Sequence, residues 1–213
     1  MNDSAVSRRG FVMFRFGEIV RSLREDVHVV VERDPSVGSR REALLHPAMP
    51  ALWVHRLASP LHHCGHRVLA KVLSNLARTV TGVEIHPGAT IGRRVFIDHG
   101  AGVVIGEQAV IGDDVTIFHQ VTLGAVGWWT DNQRPAGERR HPMVGDRVII
   151  GCNASVLGPV TIGDDAIVGA QALVTADVPA GARVYAAPAM PARDRRSSLS
   201  APTYLSATAA RSA

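Results

Sequence analysis

With 213 residues, 46% of them hydrophobic and 20% charged, the chain has room for one compact body plus an appendage and is not wholesale disordered. Aromatics at 5%, against 20 glycines and 12 prolines, exclude a conventional sandwich or large α/β core and favour a fold of small and β-branched side chains. The net charge of +4 is arginine charge concentrated at the two ends, Lys71 being the only lysine, so the body lacks the basic surface a nucleic acid needs. No nucleic-acid partner is expected. Two cysteines, Cys64 and Cys152, cannot build a disulfide framework and suit a reducing compartment. No stretch reaches the ~18 apolar residues of a membrane span, and a soluble, cytoplasmic protein is expected.

Ser7-Arg8-Arg9-Gly10-Phe11-Val12 mimics a twin-arginine export signal. An export signal needs an unbroken apolar stretch and a cleavage site, and Arg15, Glu18, Arg21 and Arg24 interrupt this one, so a helix is the better reading. Phe16, Ile19, Val20, Leu23 and Val27 continue the helical spacing. So do Leu52, Val54, Leu57 and Leu61, and then Val68, Leu69, Val72 and Leu76, with Pro35, Pro47, Pro50 and Pro60 as punctuation. An N-terminal helical domain is predicted over 1–82.

From Ile85 the period changes to six. Anchors fall at Ile85, Ile91 and Ile97, then after a two-residue slip at Ile105, Ile111, Ile117 and Leu123. They resume at Val144, Ile150, Val156, Ile162, Val168 and Val174. A second small apolar residue follows most anchors by four places, as at Ala89, Val95, Ala109 and Val115. A period of six fits neither a 3.6-residue helix nor an alternating strand. It fits a short strand and a turn repeated, three per coil, with coils stacked at the strand spacing of about 4.8 Å. The prediction is mainly β: a left-handed parallel β-helix over 83–191, with an extruded loop over 124–143 and a flexible tail over 192–213.

Chemistry in such a prism belongs to residues that break the repeat. Asp98-His99 precedes the slip, and Glu84, three residues short of a full coil from His99, is expected to meet it near one corner. A carboxylate against an imidazole fixes the tautomer of a general base. The loop carries Gly127-Trp128-Trp129 and Glu138-Arg139-Arg140-His141-Pro142. An arginine fork there suits a carboxylate.

Several segments together resemble serine O-acetyltransferases of the hexapeptide-repeat acyltransferase family. They are Glu84-Ile85-His86-Pro87-Gly88-Ala89, Phe96-Ile97-Asp98-His99, Val103-Val104-Ile105-Gly106-Glu107, Val121-Thr122-Leu123-Gly124 and Arg140-His141-Pro142. Glu32-Arg33-Asp34-Pro35-Ser36 and Leu52-Trp53-Val54-His55-Arg56-Leu57 extend the likeness into the helical part. The resemblance implies acetyl transfer from acetyl-CoA, a co-substrate, to the L-serine hydroxyl on the way to cysteine. No permanently bound cofactor or metal is expected. It also implies that His99 is the general base, Glu84 its orienting acid, Asp34 and Asp98 the acids on the serine ammonium, and Arg140 with His141 the pair at its carboxylate. Ala125, Cys152 and Ala170 match positions along which CoA runs. The assembly implied is a homotrimer, or a dimer of trimers, with sites between neighbouring prisms.

The chain departs from the family pattern in Glu84 for aspartate, Ala125 for glycine, a longer loop with two tryptophans, and Ala187-Pro188-Ala189-Met190-Pro191 for a glycine-containing turn. The ending Ala210-Arg211-Ser212-Ala213 lacks the terminal isoleucine by which the family docks into cysteine synthase, so that partner is not expected. An alternative acceptor is another hydroxy-amino acid of secondary metabolism. A more distant alternative is a γ-carbonic-anhydrase-like metal enzyme, in which His99, His119 and His141 would have to converge.

Overall fold

The computed structural model describes residues 3–135 and 137–187, apart from the side chains of 3–16 and 18. The Phe16 side chain, Pro188–Pro191 and the tail at 192–213 lie outside the described residues. Four helices come first: α1 (Asp3–Arg33), α2 (Arg40–Ala43), α3 (Met49–His63) and α4 (Arg67–Thr81). Ser39 caps α2 by accepting from the Glu42 amide, and Glu42 reaches back to the Gly38 amide. Gly82, in the left-handed conformation, ends α4 by bonding to the Arg78 carbonyl. None of the described helices is long and apolar enough to cross a membrane.

The chain then winds into a three-faced prism of very short parallel strands. One face stacks β1 (Glu84–Ile85), β4 (Val104–Ile105), β7 (Thr122–Gly124), β10 (Ser155–Leu157) and β13 (Leu173–Val174). The second stacks β2 (Thr90–Ile91), β5 (Val110–Ile111), β8 (Met143–Val144) and β11 (Thr161–Ile162). The third stacks β3 (Phe96–Ile97), β6 (Thr116–Ile117), β9 (Ile149–Ile150), β12 (Ile167–Val168) and β14 (Arg183–Val184). Each hexad anchor is the second residue of its two-residue strand or the middle of a longer one. All are buried except Ile91, which is partly so. The second residues of the repeat, Ala89 to Ala172, close the corners from inside and are buried too.

The loop leaves after β7 and returns at β8, where Met143 and Val144 stack on Val110 and Ile111 in register. It contributes nothing to the aliphatic core. Its own short helix, α5 (Trp128–Asp131), is held by the buried Asp131 carboxylate, which accepts from the Gly127 amide at 3.1 Å and from Arg134 at 3.1 Å.

The helices dock on the first coils and share their core, since Ala48, Ala51 and Leu52 pack into the same cluster as the prism aliphatics. Arg33, at the end of α1, donates to the Asp114 carbonyl at 3.0 Å, to the Asp114 carboxylate at 2.9 Å and to the Thr116 hydroxyl at 2.9 Å. Buried Asp26 takes both nitrogens of the Arg56 fork, at 2.7 and 2.6 Å, and Arg56 also reaches the Gly92 carbonyl. The Arg56–Asp26 pair is desolvated, so losing one partner would strand a buried charge. The turn after α1 is thereby fixed against the prism.

Candidate active site

Two groups of polar side chains emerge, one on each side of the face β1–β4–β7–β10–β13. The first lies at the corner between β3 and β4 and includes the end of α1. His99 occupies this corner with φ 61°, a left-handed conformation that turns its exposed ring outward. The Asp98 Oδ2 lies 3.9 Å from His99 Nε2. The His119 ring, on the next coil, meets the His99 ring edge to face at 5.8 Å.

Asp34, just beyond α1, completes this group. Its Oδ1 accepts from the Ser36 amide at 2.9 Å and the Ser36 hydroxyl at 2.6 Å. Those bonds, the hydroxyl one foremost, hold the Asp34 carboxyl below the usual carboxylate range, with His46 and His99 assisting. The buried His46 stands between the acids, Nε2 being 4.0 Å from Asp34 Oδ2. One ligand atom each from Asp34, His46 and Asp98 lie within 4.8 Å of one another. Burial depresses the His46 imidazole, against the pull of Asp34 and Asp98.

The second group surrounds the end of the loop, at the corner between β4 and β5. Arg140 donates its amide to Gln108 at 2.9 Å and its guanidinium to Glu107 at 3.4 Å. Neighbouring Arg139 is tied to the carbonyls of Pro159 and Val160, at 2.6 and 3.2 Å, which anchors this end of the loop to the prism. His141 is buried with the Cδ2–Nε2 edge of its ring against Gly106, where any Cβ would collide with it, and its Nδ1 has no partner among the described residues. Burial first, then Arg140, holds His141 below its usual value, so at neutral pH it is uncharged.

Asp34, Asp98 and His99 therefore come together, while Arg140 and His141 form their own pair across one face of the prism. Cys152 and Ala170 stack above His119 on the His99 side: Asn153 donates to the His119 carbonyl at 3.1 Å and Gln171 to the Cys152 carbonyl at 2.8 Å. Ala125 follows β7 on the Arg140 side. Glu84 does not join His99. It lies outward on β1 and pairs with Arg78 of α4 at 3.1 Å, because its strand stacks under Val104 whereas His99 sits on the preceding corner. Asp98 is the only carboxylate within 4 Å of His99 among the described residues. Within one chain the three histidines of the metal alternative do not converge, since His141 lies across the face from His99 and His119.

Nothing in the sequence pattern marks His46. It falls twelve places after Asp34, in a stretch without periodicity, and only the docking of α1 on the prism brings the two together.

Comparison with known proteins agrees with this fold. Residues 141–176 match the family model described as bacterial transferase hexapeptide (six repeats). A serine acetyltransferase from Mycobacterium tuberculosis is 49% identical over 171 residues, covering 80% of this chain and 72% of that protein. The chain belongs to the serine acetyltransferase family. Another family member, from Helicobacter pylori, is 48% identical over 161 residues, which is 75% of this chain and 90% of that one. The crystal structure of Neisseria gonorrhoeae serine acetyltransferase in complex with serine superposes with a TM-score of 0.73 at 38% identity, covering 82% of this chain and 69% of that chain. The prism is accordingly the left-handed parallel β-helix of that family.

Proposed function

We propose that the chain transfers the acetyl group of acetyl-CoA to the side-chain hydroxyl of L-serine, giving O-acetyl-L-serine and CoA. The observation that carries this reading is the convergence of Asp34, Asp98 and His99 at one corner, in a chain of the serine acetyltransferase family. Two carboxylates beside an exposed imidazole suit an amino acid whose ammonium lies between the acids and whose hydroxyl reaches the ring. His99 takes the hydroxyl proton as the oxygen attacks the thioester carbonyl. Collapse of the tetrahedral intermediate breaks the carbon–sulfur bond, and the departing thiolate recovers the proton from His99.

The carboxylate of the acceptor belongs with Arg140, whose fork offers two parallel donors, and with the neutral His141. These residues lie across a face from His99 in one chain. A complete site therefore joins the His99 corner of one subunit to the Arg140 corner of its neighbour, as in a trimer of prisms. The stack of His119, Cys152 and Ala170 on one subunit and Ala125 on the other would border the CoA.

The test follows thiol release with purified protein, acetyl-CoA and a panel of L-serine, L-threonine and L-homoserine. L-Serine is expected to give the highest kcat/KM. His99→Ala should lower kcat by roughly 10²–10⁴, the range of general-base loss, with the fold intact. A variant of near-full rate would remove His99 from the chemistry.

A further inference from the structure

His46 has a geometry that its neighbours explain only in one way. Its side chain is 5% exposed, and its ring packs against Phe96 with centroids 5.6 Å apart. The Ala48 amide donates to Nδ1 at 3.4 Å, so the neutral imidazole carries its proton on Nε2. That nitrogen is the one turned toward Asp34 Oδ2. Asp34 is asymmetric in the complementary sense: Ser36 occupies Oδ1 through two hydrogen bonds, while Oδ2 has no hydrogen-bond donor among the described residues.

A divalent cation at this trio would need the Nε2 lone pair and would leave the proton on Nδ1, where it would face the Ala48 amide, donor against donor. A substrate ammonium meets the same obstacle at His46, because Nε2–H cannot accept. The available role is that of a donor.

We propose that His46 is a positioning residue of the acceptor pocket, its Nε2–H holding the free edge of the Asp34 carboxylate so that Asp34 and Asp98 face one ammonium group. The inference rests on the reading that these two acids bind the acceptor. Burial suits the role, since a neutral imidazole does not compete with the ammonium for the carboxylates, whereas a charged one would neutralise the pocket. At 4.0 Å the pair is just beyond hydrogen-bond distance, so the proposal has Oδ2 turn toward Nε2–H when the acceptor binds, while Ser36 keeps Oδ1.

The experiment measures KM for L-serine and for acetyl-CoA, together with kcat, on the full chain. His46→Phe keeps the packing on Phe96 and removes the donor. A hydrogen bond to a charged group corresponds to roughly tenfold or more in binding. KM for L-serine should therefore rise about tenfold, with KM for acetyl-CoA unchanged and kcat within a few-fold. His46→Gln, whose amide nitrogen can replace Nε2–H, should restore the serine KM. His46→Asn reaches the Ala48 amide but not Asp34; it should behave as His46→Phe does, and it replaces that variant if the latter does not fold. Equal rises in both KM values, or a Gln variant no better than Phe or Asn, would overturn the proposal in favour of a packing role. Stoichiometric divalent metal in the purified protein that is lost in His46→Gln would also overturn it. Asp98→Asn separates the two readings: if it leaves the serine KM unchanged, the acceptor site itself is misplaced. If it raises that KM while His46→Phe does not, only the positioning role falls.

Discussion

His55 carries a buried imidazole whose titration should be measurable in the stability of the whole protein. Burial above all, then the Arg56 charge, pushes it down to about 3 from the usual 6.5. Between those values the unfolded chain binds a proton that the folded chain refuses, so stability rises with pH through this window and falls on acidification. The effect approaches about 1.4 kcal/mol per pH unit for one such group. Tm of the native protein should drop as pH is lowered from 6.5 toward 4. His55→Gln should lose less Tm over the same interval. Parallel curves would show that other groups dominate acid unfolding. The exposed residues of the site present a different question. Since Glu84 pairs with Arg78 and Asp98 is the acid beside His99, Asp98→Asn should reduce kcat/KM for serine much more than Glu84→Gln does. The reverse order in a steady-state comparison would return the orienting role to Glu84.

Among the elements, the loop between β7 and β8 is the one that leaves the prism and presents two large aromatic side chains. Trp128 and Trp129 are 73% and 58% exposed, packed edge to face on each other at 6.1 Å, and Gly127 makes room for the Trp129 ring, where a Cβ would approach it to 2.5 Å. Asp131 braces the turn, so the indoles are presented by ordered backbone. Exposed indoles of this size suit a surface that something covers. Replacing Trp128–Gly137 by a short Gly-Ser bridge keeps the Arg139 anchor and the register of Met143. Assembly and the acetyl-CoA KM should survive, and the ratio of kcat/KM between serine and larger hydroxy-amino acids should change. An unchanged ratio with lost assembly would make the loop a subunit contact. The prism is legible in the sequence because its anchors repeat every six residues and each makes a local strand. Ile97, Ile117 and Ile150 are recognisable as one stack from the six-residue count, once the slip and the loop are allowed for. The same count misplaces Glu84, because counting along a coil gives the level of a residue but not the corner from which its side chain leaves. His46 is illegible for another reason: its position depends on ion pairs such as Arg56–Asp26 that dock the helices, and no periodicity records them.

At the scale of the whole molecule, the two groups that the proposed function joins cannot close on each other within one chain. His99 with Asp34 and Asp98 lies at the corner before β4, Arg140 with His141 lies at the corner after it, and the strand between them is part of a regular five-stranded face. Bending the prism to join them would break ladder hydrogen bonds and the aliphatic core together. On the proposed reading the site takes its other half from a neighbour, and a cyclic trimer would supply the opposite corner at every interface. This arrangement predicts complementation. His99→Ala and Arg140→Ala should each be nearly inactive as homo-oligomers. Co-expressed with different tags and purified through both, they form mixed trimers in which one interface joins an intact His99 corner to an intact Arg140 corner. Such trimers should recover about a third of the wild-type kcat per trimer, with a normal KM for both substrates, since a single complete site is independent of its damaged neighbours. If each chain held its own complete site, every site in the mixture would carry one of the two lesions, and no activity would return.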